Sequence, residues 1–390
     1  MALSVFSIGG RNVLRRCAIM ADKTHIEWTD ATWNPITGCS VVSPGCTNCY
    51  AMKLAGTRLQ HHPSRAGLTV ASKSGPVWNG KVRLNREWLY QPLEWKKPRM
   101  VFVCAHGDLF HEDVPDEWIL DIFTIMAIAK QHTFQVLTKR ADRMREFLSR
   151  PEDDLLEAIY TNWYSFDGGA REVWSWPLPN VWLGVSVEDQ KRADERIPAL
   201  LDTPAAIRWV SAEPLLGPLN LNSMRGGTQW IGGQRGCGGT HSHDGRAGEV
   251  IHGMMHRFDP SVAHHHHDER CAPGLDWVVA GGESGKGARP MHPDWARSLR
   301  DQCVATGVPF FFKQWGNWHQ LYDREVEDSD WRRCDVVQRE NPHGQWLNLK
   351  GGQGFHGERV VFVAPSSKAA TGRLLDGIEH NAMPGAGCHG

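Results

Sequence analysis

Short apolar runs that end in polar or glycine-rich residues recur along the chain and predict a series of buried strands. Six such runs cover residues 100–104, 134–137, 181–187, 207–210, 277–280 and 309–312. Between them, residues 116–129, 141–148, 189–201 and 292–303 have the composition of helices. Short apolar runs bounded by turn signals are typical of buried parallel strands. Because strands and helices alternate, the pattern favours an α/β barrel or an open parallel sheet.

Polar or glycine residues follow directly after these predicted strands. In an α/β barrel the carboxyl ends of the strands carry the active site. The candidate site residues at these ends are Asp108, Lys139, Arg140, Ser186, Glu188, Glu213, Gly281, Gly282, Glu283 and Lys313. A single residue of this kind is equally consistent with a helix cap or a buried ion pair. Their recurrence after successive strands indicates one shared edge.

Three cysteines lie in one short loop, Cys39, Cys46 and Cys49, with the spacing C-x6-C-x2-C. Glycine and proline within the loop allow the backbone to wrap closely around a bulky ligand. A structural zinc site closes with four protein ligands, whereas a cubane iron–sulfur cluster held by three cysteines leaves one iron open to a small molecule. The spacing therefore favours a 4Fe–4S cluster. Zinc with a fourth ligand such as His25 or His106 is the alternative.

A glycine- and histidine-rich segment contains a second candidate metal site. Cys237 and His241 are spaced C-x3-H, and His267 and Cys271 are spaced H-x3-C. Two thiolates and two imidazoles form a closed tetrahedral zinc set, and the metal would order a segment too polar to form its own core. We therefore predict zinc in an inserted lobe. Other histidines in the segment are alternative ligands, and a solvated loop without metal is the other interpretation.

Composition narrows the class of protein further. The 390 residues carry a net charge of −1, so the chain lacks an overall basic field for nonspecific nucleic-acid binding. No apolar run of membrane-spanning length occurs in the sequence, which predicts a protein without a membrane partner. Ten cysteines in so long a chain indicate metal ligation in a reducing cytoplasm rather than a disulfide framework.

Several motifs together resemble the radical-SAM-like family named after bacteriophage gene products. These motifs are residues 26–35 before the cysteine loop, 107–111, 137–140, 183–188, 211–215, 281–285 and 313–316, and the likeness spans residues 22–385. The resemblance implies a partial (β/α)6-type radical-SAM barrel, a 4Fe–4S cluster and S-adenosylmethionine (SAM). The chain departs from the commonest spacing of such enzymes, C-x3-C-x2-C, by a longer first gap, and Asn48 stands where an aromatic residue often precedes the last cysteine.

In such an enzyme the three cysteines bind three irons, and the fourth iron holds SAM, whose reductive cleavage gives a 5′-deoxyadenosyl radical. We predict that Asp108 contacts the SAM ammonium and that Lys139 and Arg140 contact its carboxylate or a substrate phosphate. Ser186 and Glu188 are predicted to contact the ribose. Gly281, Gly282 and Glu283 are predicted to contact other parts of the cofactor. Glu213 and Lys313 are the candidate catalytic residues.

The predicted organisation has five parts: an N-terminal extension over residues 1–21, the first part of the barrel over 22–221, the inserted lobe over 222–274, the end of the barrel over 275–316 and an irregular extension over 317–390. The predicted function is a cytoplasmic isomerase or lyase that modifies a nucleic-acid or nucleotide substrate, for example a hypermodified thymidine in phage DNA. Flavodoxin or ferredoxin would be its electron donor. The alternatives are a radical SAM DNA repair lyase and a non-catalytic, zinc-bound nucleic-acid-binding protein.

Overall fold

Seven parallel strands form one curled sheet, a half-barrel, in the computed structural model of the protein. The structure describes residues 7–8, 11–12, 24, 26–167, 174–222, 224–225, 228–231, 274–324, 331–354 and 358–385. The strands are β1 (Ala31–Trp33), β2 (Met100–Val103), β3 (Thr133–Thr138), β4 (Val181–Ser186), β5 (Ile207–Ala212), β6 (Trp277–Gly281) and β7 (Phe310–Gln314). Their order across the sheet is their order in the chain. All seven carboxyl ends therefore meet at one edge.

Helices fill most of the connections and cover the convex side of the sheet. They are α1 (Tyr50–Ala55), α2 (Arg86–Leu89), α3 (Gln91–Glu94), α4 (Asp116–Ile128), α5 (Ala141–Leu148), α6 (Glu152–Asp167), α7 (Gln190–Leu201), α8 (Pro293–Thr306), α9 (Trp331–Glu340) and α10 (Lys368–Thr371). In α4, Ile119 and Ile122 belong to the same buried core as Val101 and Phe134 of the sheet. The predicted α/β class is confirmed.

All six predicted strands are present, as β2 to β7, but the sheet has a seventh strand. The predicted number of six is therefore wrong. Strand β1 escapes the sequence pattern because it has only three residues, with the polar Thr32 at its centre, and it pairs only with β2 at the sheet edge. The four predicted helices correspond to α4, α5, α7 and α8, whereas α6 was not predicted.

The segment after residue 317 is not irregular, which corrects the prediction of an irregular extension. Strands β8 (Trp318–Arg324), β9 (Gln345–Asn348) and β10 (Val360–Pro365) form an antiparallel sheet with β10 in the centre. Only the central strand is a continuous apolar run, and its buried residues Val360 to Ala364 form the core of this sheet. The two outer strands mix polar and apolar residues without a regular alternation, so their sequence looks irregular until β10 pairs with both.

Four two-stranded ribbons complete the described elements. They pair Ser7–Ile8 with Arg11–Asn12, Ile36–Thr37 with Arg83–Leu84, Thr69–Ser72 with Gly75–Trp78, and Met224–Arg225 with Thr228–Gln229. The predicted zinc ligands Cys237, His241, His267 and Cys271 lie outside the described residues. Among the helices that are described, none is long and apolar enough to cross a membrane.

The concave face of the sheet is divided into an aromatic part and a polar edge. Alternate residues of a strand point to the same face, so the face that contains Trp209 on β5 continues through Ser211 to Glu213 just beyond the strand. Trp209 and Trp277 are fully buried with ring centroids 5.3 Å apart, and Trp28 packs edge-on against both. The aromatic rings occupy the amino-terminal part of this face, which leaves its carboxyl edge to polar side chains.

Replacement of Gly184 tests the aromatic packing. Gly184 lies opposite Trp209 in the β4–β5 register, and a Cβ atom at this position would lie 2.4 Å from the Trp209 ring. We expect Gly184→Ala to destabilise the protein by about 1–3 kcal/mol, because an added methyl group overpacks a rigid core. The control is Gly217→Ala, where the nearest atom would be 3.6 Å away. Urea unfolding measures both variants, and equal midpoints would contradict the proposed packing.

Candidate functional site

The cysteine loop, residues 39–49, is attached to the end of strand β2. Gly38 bridges to Gly107 and donates its N–H to the carbonyl of His106 at 3.2 Å. Gly38 has a φ of +95°, and a Cβ atom there would meet a backbone oxygen at 2.1 Å, so only glycine fits. At the other end of the loop, the Tyr50 hydroxyl donates to the carbonyl of Ala105 at 2.6 Å. Both ends of the loop are therefore held at the carboxyl edge of the sheet.

Asp108, which follows β2, is a buried carboxylate that is already fully hydrogen-bonded. One oxygen accepts from the Thr138 hydroxyl at 2.7 Å and the Phe110 N–H at 3.1 Å. The other accepts from the Lys139 N–H and from Nη1 of Arg140, both at 3.1 Å. These four bonds use the acceptor positions that a carboxylate offers. Asp108 therefore orients Arg140, and the arrangement leaves no vacant acceptor for the predicted contact with a SAM ammonium.

Arg140 connects the end of β3 to the cysteine loop. Its Nη1 donates to Cys39 Sγ at 3.3 Å, and its Nη2 donates to the Ser40 hydroxyl at 2.6 Å. Burial and the nearby Asp108 carboxylate raise the pKa of the Cys39 thiol to about 12, although Arg140 acts in the opposite direction. Burial at this position therefore favours the protonated thiol. The guanidinium is used to hold the loop instead of facing a cofactor carboxylate.

Glu188, beyond the end of β4, is a second buried contact to the loop. It is 1% exposed and accepts from the Gly45 N–H and from Nη1 of Arg196, each at 3.1 Å. Burial alone would raise its pKa, but a hydrogen bond from Ser43 and the charges of Lys139 and Arg196 lower it overall. A Cβ atom on Gly45 would lie 3.1 Å from the carboxyl carbon of Glu188. The absence of a side chain at position 45 permits this close approach.

Glu283, beyond the end of β6, is the third buried carboxylate that holds the loop. It accepts from Nδ2 of Asn48 at 2.9 Å and from the backbone N–H of Arg289 at 2.8 Å. The Arg289 guanidinium donates to the other oxygen of Glu283 at 2.6 Å and to the carbonyl of Pro44 at 3.0 Å. The loop is therefore fixed at both Pro44 and Asn48 by one carboxylate and its arginine.

The two candidate catalytic residues, Glu213 and Lys313, form an ion pair at the mouth of the half-barrel. The Lys313 ammonium donates to both carboxylate oxygens, at 2.8 and 2.9 Å. Their side chains are 18% and 15% exposed, so the pair is accessible in a way that the three buried carboxylates are not. Neither side chain contacts the cysteine loop through a hydrogen bond in the described residues.

The remaining predicted cofactor contacts divide into two groups. The Ser186 hydroxyl and the Lys139 ammonium make no hydrogen bond to the described residues, so both remain available as donors. Gly282 serves packing instead, whereas a Cβ atom on Gly281 would be in ordinary contact at 3.5 Å. A Cβ atom on Gly282 would lie 2.0 Å from the carbonyl oxygen of Trp315, so glycine allows these two backbone segments to approach.

The cysteine loop has the donor chemistry of an iron–sulfur ligand set. Its three thiols are soft ligands of the type that iron–sulfur clusters use. Cys39 and Cys49 pack against the same small apolar cluster, and Cys46 Sγ lies 3.8 Å from the Ser43 hydroxyl. Across the described ranges, no three Cys, His, Asp or Glu side chains are gathered closely enough to hold a metal ion. The residue types therefore fit a cluster, and binding it would require the three sulfurs to come together.

A cavity of about 530 Å³ lies between the cysteine loop and the C-terminal sheet. Pro44 of the loop and Arg289 form part of one wall, and Gln345, Trp346 and Gln353 form part of another. The volume is within the range of about 300–1,000 Å³ that small-molecule sites occupy. The sequence pattern gave no signal for this cavity, because its far wall belongs to strands that were not predicted.

One protein-family model matches the part of the chain that contains the whole site. Residues 23–384 match a family model described as "Protein of unknown function (DUF5131)". No curated protein and no solved structure matches the chain. The matched range includes the seven strands, the cysteine loop and the C-terminal sheet.

Loss of the Asp108 charge should destabilise the site strongly. Asp108→Asn removes the buried carboxylate of Arg140 and leaves it only the exposed Glu112, which its Nε contacts at 3.3 Å. We expect a loss of about 3–5 kcal/mol, as for other broken buried ion pairs. The control is Asp142→Asn, which breaks the exposed pair between Asp142 and Arg145 and should change stability by less than about 0.5 kcal/mol. Urea unfolding at pH 7 compares the two, and a similar small loss for both would show that Arg140 does not depend on Asp108.

Acid should destabilise the protein partly through Glu283. Burial alone would raise the pKa of Glu283, but hydrogen bonds from Arg289 and Asn48 lower it below its ordinary value of 4.5. The unfolded chain therefore takes up the proton first, so the stability that Glu283 contributes is present above pH 4.5 and is lost as the pH falls through the folded-state pKa. Glu283→Gln should be less stable at pH 7 and should lose less stability between pH 7 and pH 3.

The matched control for this pH dependence is Glu146→Gln, because Glu146 is an exposed glutamate on α5. Chemical unfolding at a series of pH values gives the stability curve of each variant. A Glu283→Gln curve parallel to that of the wild type would contradict the role of Glu283.

Proposed function

The chain belongs to the DUF5131 family, and we propose that it is a radical SAM enzyme whose 4Fe–4S cluster is held by Cys39, Cys46 and Cys49. The observation that carries the proposal is the position of the cysteine loop. It lies at the carboxyl edge of a parallel half-barrel, where α/β barrels have their active sites, and it is held there from three strand ends by Arg140, Glu188 and Glu283. A loop with a purely local structural role would not need these distant attachments.

A 4Fe–4S cluster held by these three cysteines would supply the electron for reductive cleavage of SAM. A low-potential protein such as flavodoxin or ferredoxin is the proposed electron donor. Arg140 contributes an N–H hydrogen bond to Cys39 Sγ, and hydrogen bonds to ligand sulfurs are one of the factors that set cluster potential. Asp108 holds this guanidinium in place and is a positioning residue.

Lys139 and Ser186 are the proposed SAM contacts, because they lie at the carboxyl ends of neighbouring strands and their side-chain donors are unused by the described residues. An ammonium group suits a carboxylate, and the Ser186 hydroxyl suits a ribose hydroxyl. Arg140, Glu188 and Glu283, which the sequence also suggests as cofactor contacts, instead hold the loop against which the cofactor binds.

Glu213 and Lys313 are the proposed substrate contacts at the mouth of the half-barrel. The ammonium of Lys313 can donate to a carbonyl or phosphate oxygen, and the carboxylate of Glu213 can accept from an N–H or O–H group. Because the pair is partly exposed, substrate can replace one of its two internal hydrogen bonds without burial of an unpaired charge. We propose isomerase or lyase chemistry at this position.

A nucleotide or nucleic-acid substrate is supported by the cavity beside the loop. Trp346 offers an aromatic surface, and Gln345 and Gln353 offer amide groups at the same cavity. Bases stack on aromatic side chains and are recognised by hydrogen bonds to their edges. The near-neutral net charge of the chain favours a small or single-stranded ligand over tight binding to a duplex.

Iron and sulfide analysis tests the cluster. After anaerobic reconstitution, the wild type should contain about four iron and four sulfide per chain. The triple variant with Cys39, Cys46 and Cys49 replaced by Ala should lose the iron, whereas the control Cys303→Ala should retain it, because Cys303 is buried in α8 away from the loop. With a strong reductant, the loaded wild type should release 5′-deoxyadenosine from SAM.

Two results would contradict the proposal. Iron that survives the triple substitution would show that the loop is not the ligand set. A fully loaded wild type that releases no 5′-deoxyadenosine would support a structural or binding role for the cluster, as in a non-catalytic nucleic-acid-binding protein.

A further inference from the structure

Arg65, in the connection after α1, is a buried cation whose contacts are all neutral. Its side chain is 2% exposed, and in the described part of the chain no carboxylate pairs with it. Nη1 donates to the Ser64 hydroxyl at 2.7 Å, and Nε donates to Nδ1 of His106 at 3.4 Å. The guanidinium carbon lies 5.8 Å from the centre of the Trp88 ring. These contacts orient the guanidinium but do not neutralise it.

A buried guanidinium without an anion is unusual, because buried charges are almost always paired. The same protein shows the ordinary arrangement nearby: Arg140 pairs with Asp108, and Arg196 pairs with Glu188. Burial lowers the pKa of Arg65 to about 10, and the charge of Arg83 acts in the same direction. Arg65 therefore remains positively charged at neutral pH, close to a second cation.

His106 adds a second donor at the same place. Burial and the Arg65 charge lower its pKa to about 3, so the ring is neutral at physiological pH. Because Nδ1 accepts the hydrogen bond from Arg65, the proton of the neutral ring lies on Nε2. Neither this N–H nor Nη2 of Arg65 has a hydrogen-bond acceptor in the residues that the structure describes.

The two donors lie at the base of the cysteine loop. His106 belongs to the segment that follows β2, and its carbonyl accepts from Gly38 immediately before Cys39. The His106 ring also contacts the ring of Tyr50, which directly follows Cys49, with centroids 5.7 Å apart. A group bound by Arg65 and His106 would therefore be adjacent to both ends of the loop.

We propose that Arg65 and His106 form an anion site that binds a phosphate or carboxylate group of a ligand held beside the cysteine loop. Nη2 of the guanidinium donates to an oxygen of such a group, and the imidazole N–H adds a second donor from a different residue. The bound anion supplies the negative charge that the described residues do not provide for Arg65. The inference rests on the proposed function only for the ligand's source: a phosphate of the substrate or the carboxylate of SAM.

Calorimetric titration of the full-length protein tests the site, with inorganic phosphate, thymidine monophosphate, thymidine and methionine as probes at low salt. We expect the two phosphates to bind the wild type and thymidine to bind more weakly. Arg65→Met should weaken phosphate binding at least about tenfold, as expected for a lost charged hydrogen bond, and Arg65→Lys should retain part of the affinity. The control Arg58→Met removes the same charge from an exposed position in the same connection and should change affinity little.

If Arg65→Met does not fold, His106→Phe is titrated in its place, because it removes the imidazole N–H, the second donor of the site. Binding of methionine but not of phosphate would support the site and assign it to the cofactor carboxylate. The inference would be overturned if none of the anions bound the wild type, or if Arg65→Met and His106→Phe bound them as tightly as Arg58→Met. Iron content and 5′-deoxyadenosine release are measured separately, so failure of the anion site is distinguishable from failure of the proposed radical SAM function.

Discussion

Burial of negative charge at the carboxyl edge of the sheet is the constraint on which the rest of the site depends. Asp108, Glu188 and Glu283 are nearly inaccessible to solvent, and a buried carboxylate is costly unless hydrogen bonds compensate it. Arginines supply part of this compensation, and the cysteine loop supplies much of the rest through the Gly45 N–H and the Asn48 amide. The same hydrogen bonds therefore fix the position of the loop and stabilise the sheet edge.

The aromatic part of the concave face determines where that edge begins. Trp209 and Trp277 occupy the interior of the half-barrel, so polar side chains fit only farther along each strand. The two-residue period of a strand then places Ser211 and Glu213 on the same face as Trp209. A slip of one residue would turn these side chains toward the helices. The large tryptophans thus help to define the strand register that positions the polar edge.

The polar residues at this edge perform two different tasks. Some of them hold the cysteine loop, and the others keep side-chain groups that remain available to a ligand. Lys139, Ser186 and the pair of Glu213 and Lys313 belong to the second group. The cavity against the C-terminal sheet and the guanidinium of Arg65, which has no carboxylate partner among the described residues, lie on further sides of the loop. A motif resemblance does not separate these tasks, because both need polar residues at strand ends.

Local sequence determined the elements that depend on short-range patterns. The apolar runs of β2 to β7, the helices α4, α5, α7 and α8 and the spacing of the three cysteines are all readable from neighbouring residues. The sequence also indicates which polar residues reach the carboxyl edge, since each directly follows a strand. The prediction missed β1, which is too short for a periodic signal, and β8 and β9, whose pairing with β10 supplies the apolar context. It also missed β10, although the apolar run of that strand is a local signal.

Only the tertiary structure decided which polar residues meet. The bond between Gly45 and Glu188 joins positions 143 residues apart, and the bond between Asn48 and Glu283 spans 235 residues. Such partners are selected by the order and curl of the strands, which a local pattern does not contain. The same reason explains Arg65, because only folding places it against His106 and, within the described ranges, away from any carboxylate. Sequence specified the charges, and the packing of distant segments specified which of them are compensated.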